Sequence, residues 1–201
     1  MRGIPTMHNG IKYRSLLEAK WASFFTRMEW QFEYEPFEGN GYIPDFLIHG
    51  DNPVLVEVKP AATRRELLGH TEKVERGLRD IWNSDLLIVG VSPFVLPDAQ
   101  RYMPVIGLLG EAAERHYRVN CDEFNSGEPL VERAWDWGSA EMFACTMCCP
   151  SAPSLSHEFM SFTGRPCGHY DGDHHKGALL LTRIEQEWKR ACNEVQWRGA
   201  A

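Results

Sequence analysis

The sequence predicts an α/β fold in which a mixed β-sheet is flanked by helices. Three observations lead to this prediction. Apolar residues recur at helical spacing after Ser15, three strand-like stretches follow within residues 30–59, and a second helical segment precedes a short apolar strand at residues 85–91. The order helix, three strands, helix and strand is typical of a sheet covered by helices.

The first predicted helix has both a start signal and an apolar face. Ser15 and Glu18 have the spacing of a capping box, in which a serine at the helix start and a glutamate three residues later bond each other's backbone. Apolar residues then recur at helical intervals, namely Leu16, Leu17, Trp21, Phe24, Phe25 and Met28.

Three predicted strands come next. Residues 30–37 alternate between apolar and polar side chains. Residues 42–48 and 54–59 form a predicted hairpin, because the five residues between them include Gly, Asp, Asn and Pro, which are typical of turns. The second hairpin strand alternates strictly, with Val54, Val56 and Val58 on one face and Leu55, Glu57 and Lys59 on the other.

The remaining predicted elements follow from periodicity and length. The pattern predicts a charged amphipathic helix, a buried strand, a further strand and a final amphipathic helix, at residues 63–82, 85–91, 103–109 and 179–197 respectively.

Composition changes beyond residue 120. Residues 145–175 are rich in Cys, His, Gly, Pro and Ser, and four of the six cysteines lie between positions 145 and 167. We therefore predict a core domain at residues 1–120 and a smaller metal-binding segment with the C-terminal helix at residues 121–201.

Length and charge argue against some classes of protein. The 201 residues suit one domain with a small appendage, and no apolar stretch approaches the about 18 residues of a membrane span. The N-terminus lacks the charged start and apolar core of a signal peptide, so we expect a soluble, cytoplasmic protein with no membrane partner. The net charge of −7 argues against coating nucleic acid by bulk electrostatics, although residues 1–30 carry five Lys and Arg against two Glu.

Two acids of the hairpin present an electrostatic problem. If the turn is centred near residue 51, Asp45 lies opposite Glu57, and opposed side chains are about 5 Å apart at Cβ. Like charges at that distance destabilise a sheet. A hard divalent cation between the two acids would remove the conflict, and Lys59 would point to the same face as Glu57.

Glu18 is a third acid with two interpretations. On the predicted helix it shares a face with Trp21, Ala22 and Phe25, and a carboxylate on an apolar face needs a partner. It either completes the capping box with Ser15 or helps to build a metal site beside the two hairpin acids.

These acids carry a family resemblance. Pro44-Asp45 and Glu57-Val58-Lys59 resemble the motif of the PD-(D/E)XK nuclease superfamily. Glu18, in "YRSLLEAKWASFF", resembles the helical glutamate upstream of that motif in many members, and "FEYEP" at residues 32–36 is similar to phage and transposon members. The similarity covers residues 10–92 and implies a restriction-endonuclease-like core in a phage or mobile-element protein.

The resemblance also implies an activity. It implies a metal-dependent DNA endonuclease in which Asp45, Glu57 and the backbone carbonyl of Val58 bind Mg²⁺ or Mn²⁺. Lys59 would orient the attacking water, and Glu18 would complete the site or hold a second metal through water. Many nucleases of this fold act as homodimers. The helix after the motif often adds a polar residue, for which the candidates are His70, Thr71 and Lys73.

The cysteine-rich segment has the spacing of a structural zinc site. Cys145 and Cys148 form a knuckle, and after eighteen residues Cys167 is followed by His169. Such a pair of knuckles is typical of a zinc ribbon. The second knuckle is irregular, so other residues stay candidates for the fourth ligand, namely His174, His175, Cys149 and His157.

Two hypotheses without catalysis compete with the nuclease hypothesis. One is a catalytically silent nuclease-fold module, stabilised by zinc, that binds DNA or assists assembly. The other is a binding protein that inhibits another nucleic-acid machine. The complete set of Glu18, Asp45, Glu57 and Lys59 favours the enzyme.

Overall fold

A computed structural model describes residues 3–50, 53–97, 102–112, 135–143, 154–157, 161–163 and 177–196. It confirms an α/β protein with a mixed sheet flanked by helices. The elements in chain order are β1 (Thr6–His8), β2 (Ile11–Tyr13), α1 (Leu16–Arg27), β3 (Phe32–Tyr34), β4 (Phe46–Ile48), β5 (Val54–Val58), α2 (Arg64–Leu78), β6 (Asp85–Pro97), β7 (Tyr102–Ala112), β8 (Trp135–Phe143), β9 (Ser154–His157), β10 (Ser161–Thr163) and α3 (Gly177–Glu194).

Eight of these strands form one sheet in the order β10-β9-β8-β7-β6-β5-β4-β3. Strands β5 and β6 pair in parallel, whereas the other described neighbours are antiparallel. A parallel pair needs a crossover connection, which α2 provides. Strands β1 and β2 form a separate hairpin before α1 that the sequence patterns did not predict.

Local chemistry fixes both ends of α1. The Ser15 hydroxyl accepts a hydrogen bond from the Glu18 backbone N–H at 3.1 Å, which caps the helix start. At the other end Glu29 adopts φ 59°, and the Trp30 N–H donates to the Phe25 carbonyl at 3.0 Å. This is the hydrogen-bond pattern of a Schellman motif, which turns the chain into β3.

The hairpin begins later than the sequence pattern predicts. Strand β4 starts at Phe46 rather than at residue 42. Tyr42 instead pairs with Gly39 across a tight turn, in which Asn40 and Gly41 both have positive φ. Pro44 also has no N–H to give to a ladder. The chain joins the sheet only from Asp45, whose carbonyl accepts the Glu35 N–H at 3.0 Å.

Alternation along β5 sorts its side chains between two cores. Val54, Val56 and Val58 face the layer formed by α1 and α3, whereas Leu55 faces the layer formed by α2. On the α2 side, Gly77 leaves room for the Tyr42 ring, because a Cβ there would lie 2.4 Å from a ring carbon. The sheet is therefore buried on both faces at β5.

The C-terminal helix α3 packs against α1. The Trp188 ring lies 4.7 Å from the Trp21 ring and 5.7 Å from the Phe24 ring, measured between centroids. Arg27 of α1 pairs with Glu187 of α3 at 2.9 Å. Strands and helices on both sides of residue 120 thus share one sheet, and residues from both sides contribute to each of its two cores. No helix in the described ranges is long and apolar enough to cross a bilayer.

We predict that Trp188→Ala lowers the free energy of unfolding by about 3 kcal/mol, because it removes a large aromatic contact with α1. Urea denaturation measures the change. Leu68→Ala on α2, where the side chain is already exposed, is the control and should change stability little. Equal effects of the two substitutions would contradict the packing of α3 on α1.

Candidate active site

The register of the hairpin brings Asp45 and Glu57 together. Strands β4 and β5 pair with Leu47 opposite Leu55, and the same count continues to Asp45 opposite Glu57. Both carboxylates belong to the α2 face of the sheet, and both are buried, with 4% and 8% of their surfaces exposed.

Asp45 uses its two oxygens in different ways. Its Oδ2 accepts the Val58 backbone N–H at 2.7 Å, and its Oδ1 accepts Arg14 Nη2 at 2.6 Å. Burial, followed by the negative charge of Glu57, raises the pKa of Asp45 to about 7. The Val58 N–H and the Lys59 ammonium oppose that rise without cancelling it. The acid is therefore poised to change charge near neutral pH.

Glu57 has one partnered oxygen and one without a partner. Its Oε1 accepts a hydrogen bond from Lys59 Nζ. Its Oε2 is buried and has no hydrogen-bond partner in the described structure. The Tyr42 hydroxyl is also buried and has no hydrogen bond of normal geometry to the described residues. Burial, the Glu57 charge and a side-chain hydrogen bond to Glu57 raise the pKa of Tyr42, so this hydroxyl lies beside Glu57. A buried carboxylate oxygen without a donor costs about 1–3 kcal/mol or more, so Oε2 needs an explanation.

Lys59 follows directly after β5. Its backbone N–H donates to the Val89 carbonyl at 2.9 Å, which continues the pairing of β5 with β6 by one residue. This bond directs the side chain to the same face as Glu57, where only 18% of it is exposed. The ammonium is thus held at the acid pair rather than in solvent.

Glu18 is bound to groups around the start of α1. Its Oε1 accepts the Ser15 hydroxyl at 2.7 Å, and its Oε2 accepts the Tyr34 hydroxyl at 2.7 Å and the Arg14 backbone N–H at 3.1 Å. The capping box is therefore modified, since the Glu18 carboxylate bonds the Ser15 side chain. The charge of Glu18 still contributes to the raised pKa of Asp45.

Arg14 links the acids. Its Nη2 contacts Asp45, its Nε lies 2.7 Å from Glu35 Oε1, and the same Nε lies 4.0 Å from Glu18 Oε2. The sequence placed Arg14 just before the helix but gave no signal for these partners, because Asp45 is 31 residues away. Glu35 and Tyr34 were missed for the same reason.

Helix α2 carries the three candidates for a further polar residue at the site, and their surroundings differ. The Thr71 hydroxyl donates to the Leu68 carbonyl of its own helix at 3.0 Å, and Lys73 is exposed. His70 is partly buried, and burial followed by the charges of Lys59 and Lys73 lowers its pKa. Of the three, His70 has the clearest electrostatic link to the acid pair.

The acid pair of Asp45 and Glu57 suits a divalent cation that prefers oxygen ligands, such as Mg²⁺. Within the described ranges, no three His, Cys, Asp or Glu side chains cluster as a preformed metal site. Mg²⁺, however, is usually held by one or two carboxylates together with water and substrate phosphates. Asp45 and Glu57, with the unpartnered Oε2, supply that minimum, and the Val58 backbone carbonyl is the third predicted ligand.

The predicted zinc ligands lie outside the ranges that the structure describes. Cys145, Cys148, Cys167 and His169 all lie outside the described residues, as do the alternatives Cys149, His174 and His175. His157 lies in β9, but its side chain is not described. The zinc site stays a prediction from spacing.

Comparisons of the chain with protein-family models, curated proteins and solved structures each found no match. The similarity to nucleases therefore rests on the motif residues in the sequence. The functional case rests on the geometry around Asp45 and Glu57.

We predict that Asp45 makes a contribution to the stability of the metal-free protein that falls as pH rises from about 4 to about 7, because the folded state holds a proton on Asp45 that the unfolded state releases. Glu57→Gln should make this loss smaller, since it removes the repulsion that raises the pKa of Asp45. Each unit of pKa shift corresponds to about 1.4 kcal/mol.

Urea denaturation in chelator across this pH range measures the difference between the two proteins. Glu72→Gln is the matched control, because Glu72 is 86% exposed and pairs with Arg76 on α2. If Glu57→Gln and Glu72→Gln change the pH dependence equally, the two buried acids do not interact as the register implies.

Proposed function

We propose that this protein is a metal-dependent nuclease of the PD-(D/E)XK superfamily that hydrolyses DNA phosphodiester bonds as an endonuclease. One observation carries the proposal. Two buried carboxylates, Asp45 and Glu57, are opposed on one face of the sheet, and one oxygen of Glu57 has no hydrogen-bond partner among the described residues. The Lys59 ammonium lies on the same face.

The energetic argument supports a functional origin for this arrangement. Opposed like charges destabilise a sheet, and a buried carboxylate without full hydrogen bonding is costlier still. Replacing Glu57 with an apolar residue would remove both of these costs. A divalent cation that binds through Asp45 and Glu57 gives a reason to keep them.

The residues of the chain have distinct proposed roles. Asp45, Glu57 and the Val58 carbonyl would hold Mg²⁺ or Mn²⁺, which in such sites polarises the scissile phosphate and lowers the pKa of a bound water. Lys59 would orient the attacking water and stabilise negative charge that develops on the phosphate. Glu18 would support the site through Arg14 rather than through direct ligation, because its oxygens already accept bonds near the start of α1.

The topology is compatible with the proposed family. Strands β3, β4 and β5 form an antiparallel meander, and the α2 crossover leads to the parallel strand β6. This matches the mixed sheet flanked by helices that the resemblance implies, and we propose that it is a restriction-endonuclease-like core. The motif lies at the end of β5, beside the crossover.

We further propose that the cysteine-rich segment binds a structural zinc ion through Cys145, Cys148, Cys167 and His169. Three thiolates and one imidazole would make a closed site, which stabilises a segment with little core of its own. Thiolates that bind zinc must stay reduced, so the proposed site is compatible with the cytoplasmic location that we also propose.

A second candidate function is a catalytically silent module of the same fold that binds DNA or assists assembly. The observation that favours it is the ion pair between Arg14 and Asp45, in which a side chain of the protein already neutralises one of the two acids. Binding of DNA without cleavage under every metal tried would select this function.

We predict that the protein cleaves DNA with Mg²⁺ or Mn²⁺ and that Asp45→Asn and Lys59→Met each reduce the rate by about a hundredfold or more. The substrates are plasmid, linear duplex, single-stranded and branched DNA, and gel electrophoresis measures the products. Cleavage of plasmid circles would distinguish an endonuclease from an enzyme that needs an end.

Glu72→Gln is the control for Asp45→Asn, because it removes an exposed acid on α2. It should cleave at the wild-type rate. Retention of full activity in folded Asp45→Asn would show that a contaminant or a different site cuts the DNA.

We predict that protein purified without chelator contains one equivalent of zinc and that the double substitution Cys145→Ser with Cys148→Ser removes it, because each thiolate is a ligand. Elemental analysis measures the zinc. Cys192→Ser is the matched control, since Cys192 lies on α3 as a free thiol. Zinc that survives the double substitution would refute the proposed ligands.

A further inference from the structure

Arg14 bonds the oxygen of Asp45 that the Val58 backbone leaves free. The Val58 backbone N–H bonds Oδ2 at 2.7 Å, and Arg14 Nη2 bonds Oδ1 at 2.6 Å. A metal ion that binds Asp45 must therefore share this carboxylate with a guanidinium or displace it. Because both groups are positive and would contact the same oxygen, displacement is the favourable outcome.

Arg14 is also suited to a second partner. Its side chain is 49% exposed, whereas that of Lys59 is 18% exposed. Glu35 holds its Nε at 2.7 Å, so the side chain would stay beside the site after losing Asp45. A guanidinium has five N–H donors in a planar fork that matches the geometry of a phosphate.

We propose that Arg14 alternates between two anions. It pairs with Asp45 in the metal-free protein, and it moves to a phosphate of the DNA backbone when a divalent cation binds Asp45. This inference rests on the proposed nuclease function and adds a phosphate-binding residue to it.

The exchange makes metal and DNA binding cooperative. A cation that binds Asp45 releases Arg14 for the phosphate, and a phosphate that binds Arg14 uncovers Asp45 for the cation. By linkage, each ligand must strengthen the binding of the other by the same factor. Without Arg14 the site should bind metal more tightly in the absence of DNA, and this coupling should shrink.

The test compares Arg14→Gln with the wild-type protein in two binding experiments. Calorimetry with Mn²⁺ and no DNA should show affinity higher by about fivefold or more in Arg14→Gln. Duplex DNA is then titrated at several salt concentrations with and without Ca²⁺, an oxygen-seeking cation, and a gel verifies that the duplex stays intact.

The salt dependence identifies the phosphate contact. With Ca²⁺ present, Arg14→Gln should bind DNA more weakly, and the slope of log affinity against log salt should fall in magnitude by about one, as expected for one lost phosphate contact. Without a cation the slope should change less, because Asp45 then competes with the phosphate for Arg14.

Two further variants are controls. Arg76→Gln removes the same charge from an exposed pair on α2 and should leave Mn²⁺ affinity and the salt slope unchanged. Arg14→Lys keeps the charge but cannot span Glu35 and Asp45 as a fork does. It should raise Mn²⁺ affinity and keep the wild-type salt slope. If circular dichroism shows that Arg14→Gln is unfolded, Arg14→Lys carries the test, and wild-type Mn²⁺ affinity in it would overturn the inference.

The outcomes separate this inference from the function beneath it. Wild-type protein that neither binds Mn²⁺ nor cleaves DNA would overturn both. Wild-type protein that does both, with Arg14→Gln indistinguishable from Arg76→Gln, would overturn the inference alone. An equal loss of salt slope with and without Ca²⁺ would also overturn it, because Arg14 would then be a permanent phosphate contact.

Discussion

The register between β4 and β5 is the constraint on which the site depends. Side chains alternate between the two faces of a strand, so a slip of one residue would turn Glu57 from the α2 face to the apolar face beneath α1. The valines of β5 prevent that slip, because they fill the core against α1 and α3. The hydrogen bond from the Val58 N–H to Asp45, one residue before β4 begins, also holds the register. The apolar face of the hairpin thus positions its charged face.

Stability and site chemistry oppose each other at this hairpin. The fold would be more stable if the carboxylates of Asp45 and Glu57 were further apart. Burial also raises the pKa of Asp45 to about 7. The surroundings compensate only in part, through one backbone N–H, Arg14 and Lys59. The fold tolerates the remaining cost because the hairpin lies between two aromatic and aliphatic cores. A rigid support of this kind is what a preorganised cation site requires.

Local patterns in the sequence predicted the local parts of the fold. Helix α1, helix α2, the β4–β5 hairpin and strand β6 all follow from periodicity and caps, and counting residues around the turn gave the opposition of Asp45 and Glu57. The late start of β4 was missed, because the turn at Asn40 and Gly41 competes with strand pairing. The partners of Arg14 and the packing of Trp188 on Trp21 were also missed. Contacts of this kind join distant parts of the chain, and one sequence has no local signal for them.

The net charge of the cluster around Asp45 and Glu57 is consistent with the proposed cation site. Asp45, Glu57, Glu18 and Glu35 surround two cations, Arg14 and Lys59, so the fully ionised cluster carries two negative charges in excess. One divalent cation would neutralise that excess, and the guanidinium would then keep Glu35 as its partner at Nε while its terminal N–H groups became available. A phosphodiester is an anion that these N–H groups could bind. In the proposed nuclease, each carboxylate and each cation of the cluster would have a use in one reaction, which a purely structural cluster would not require.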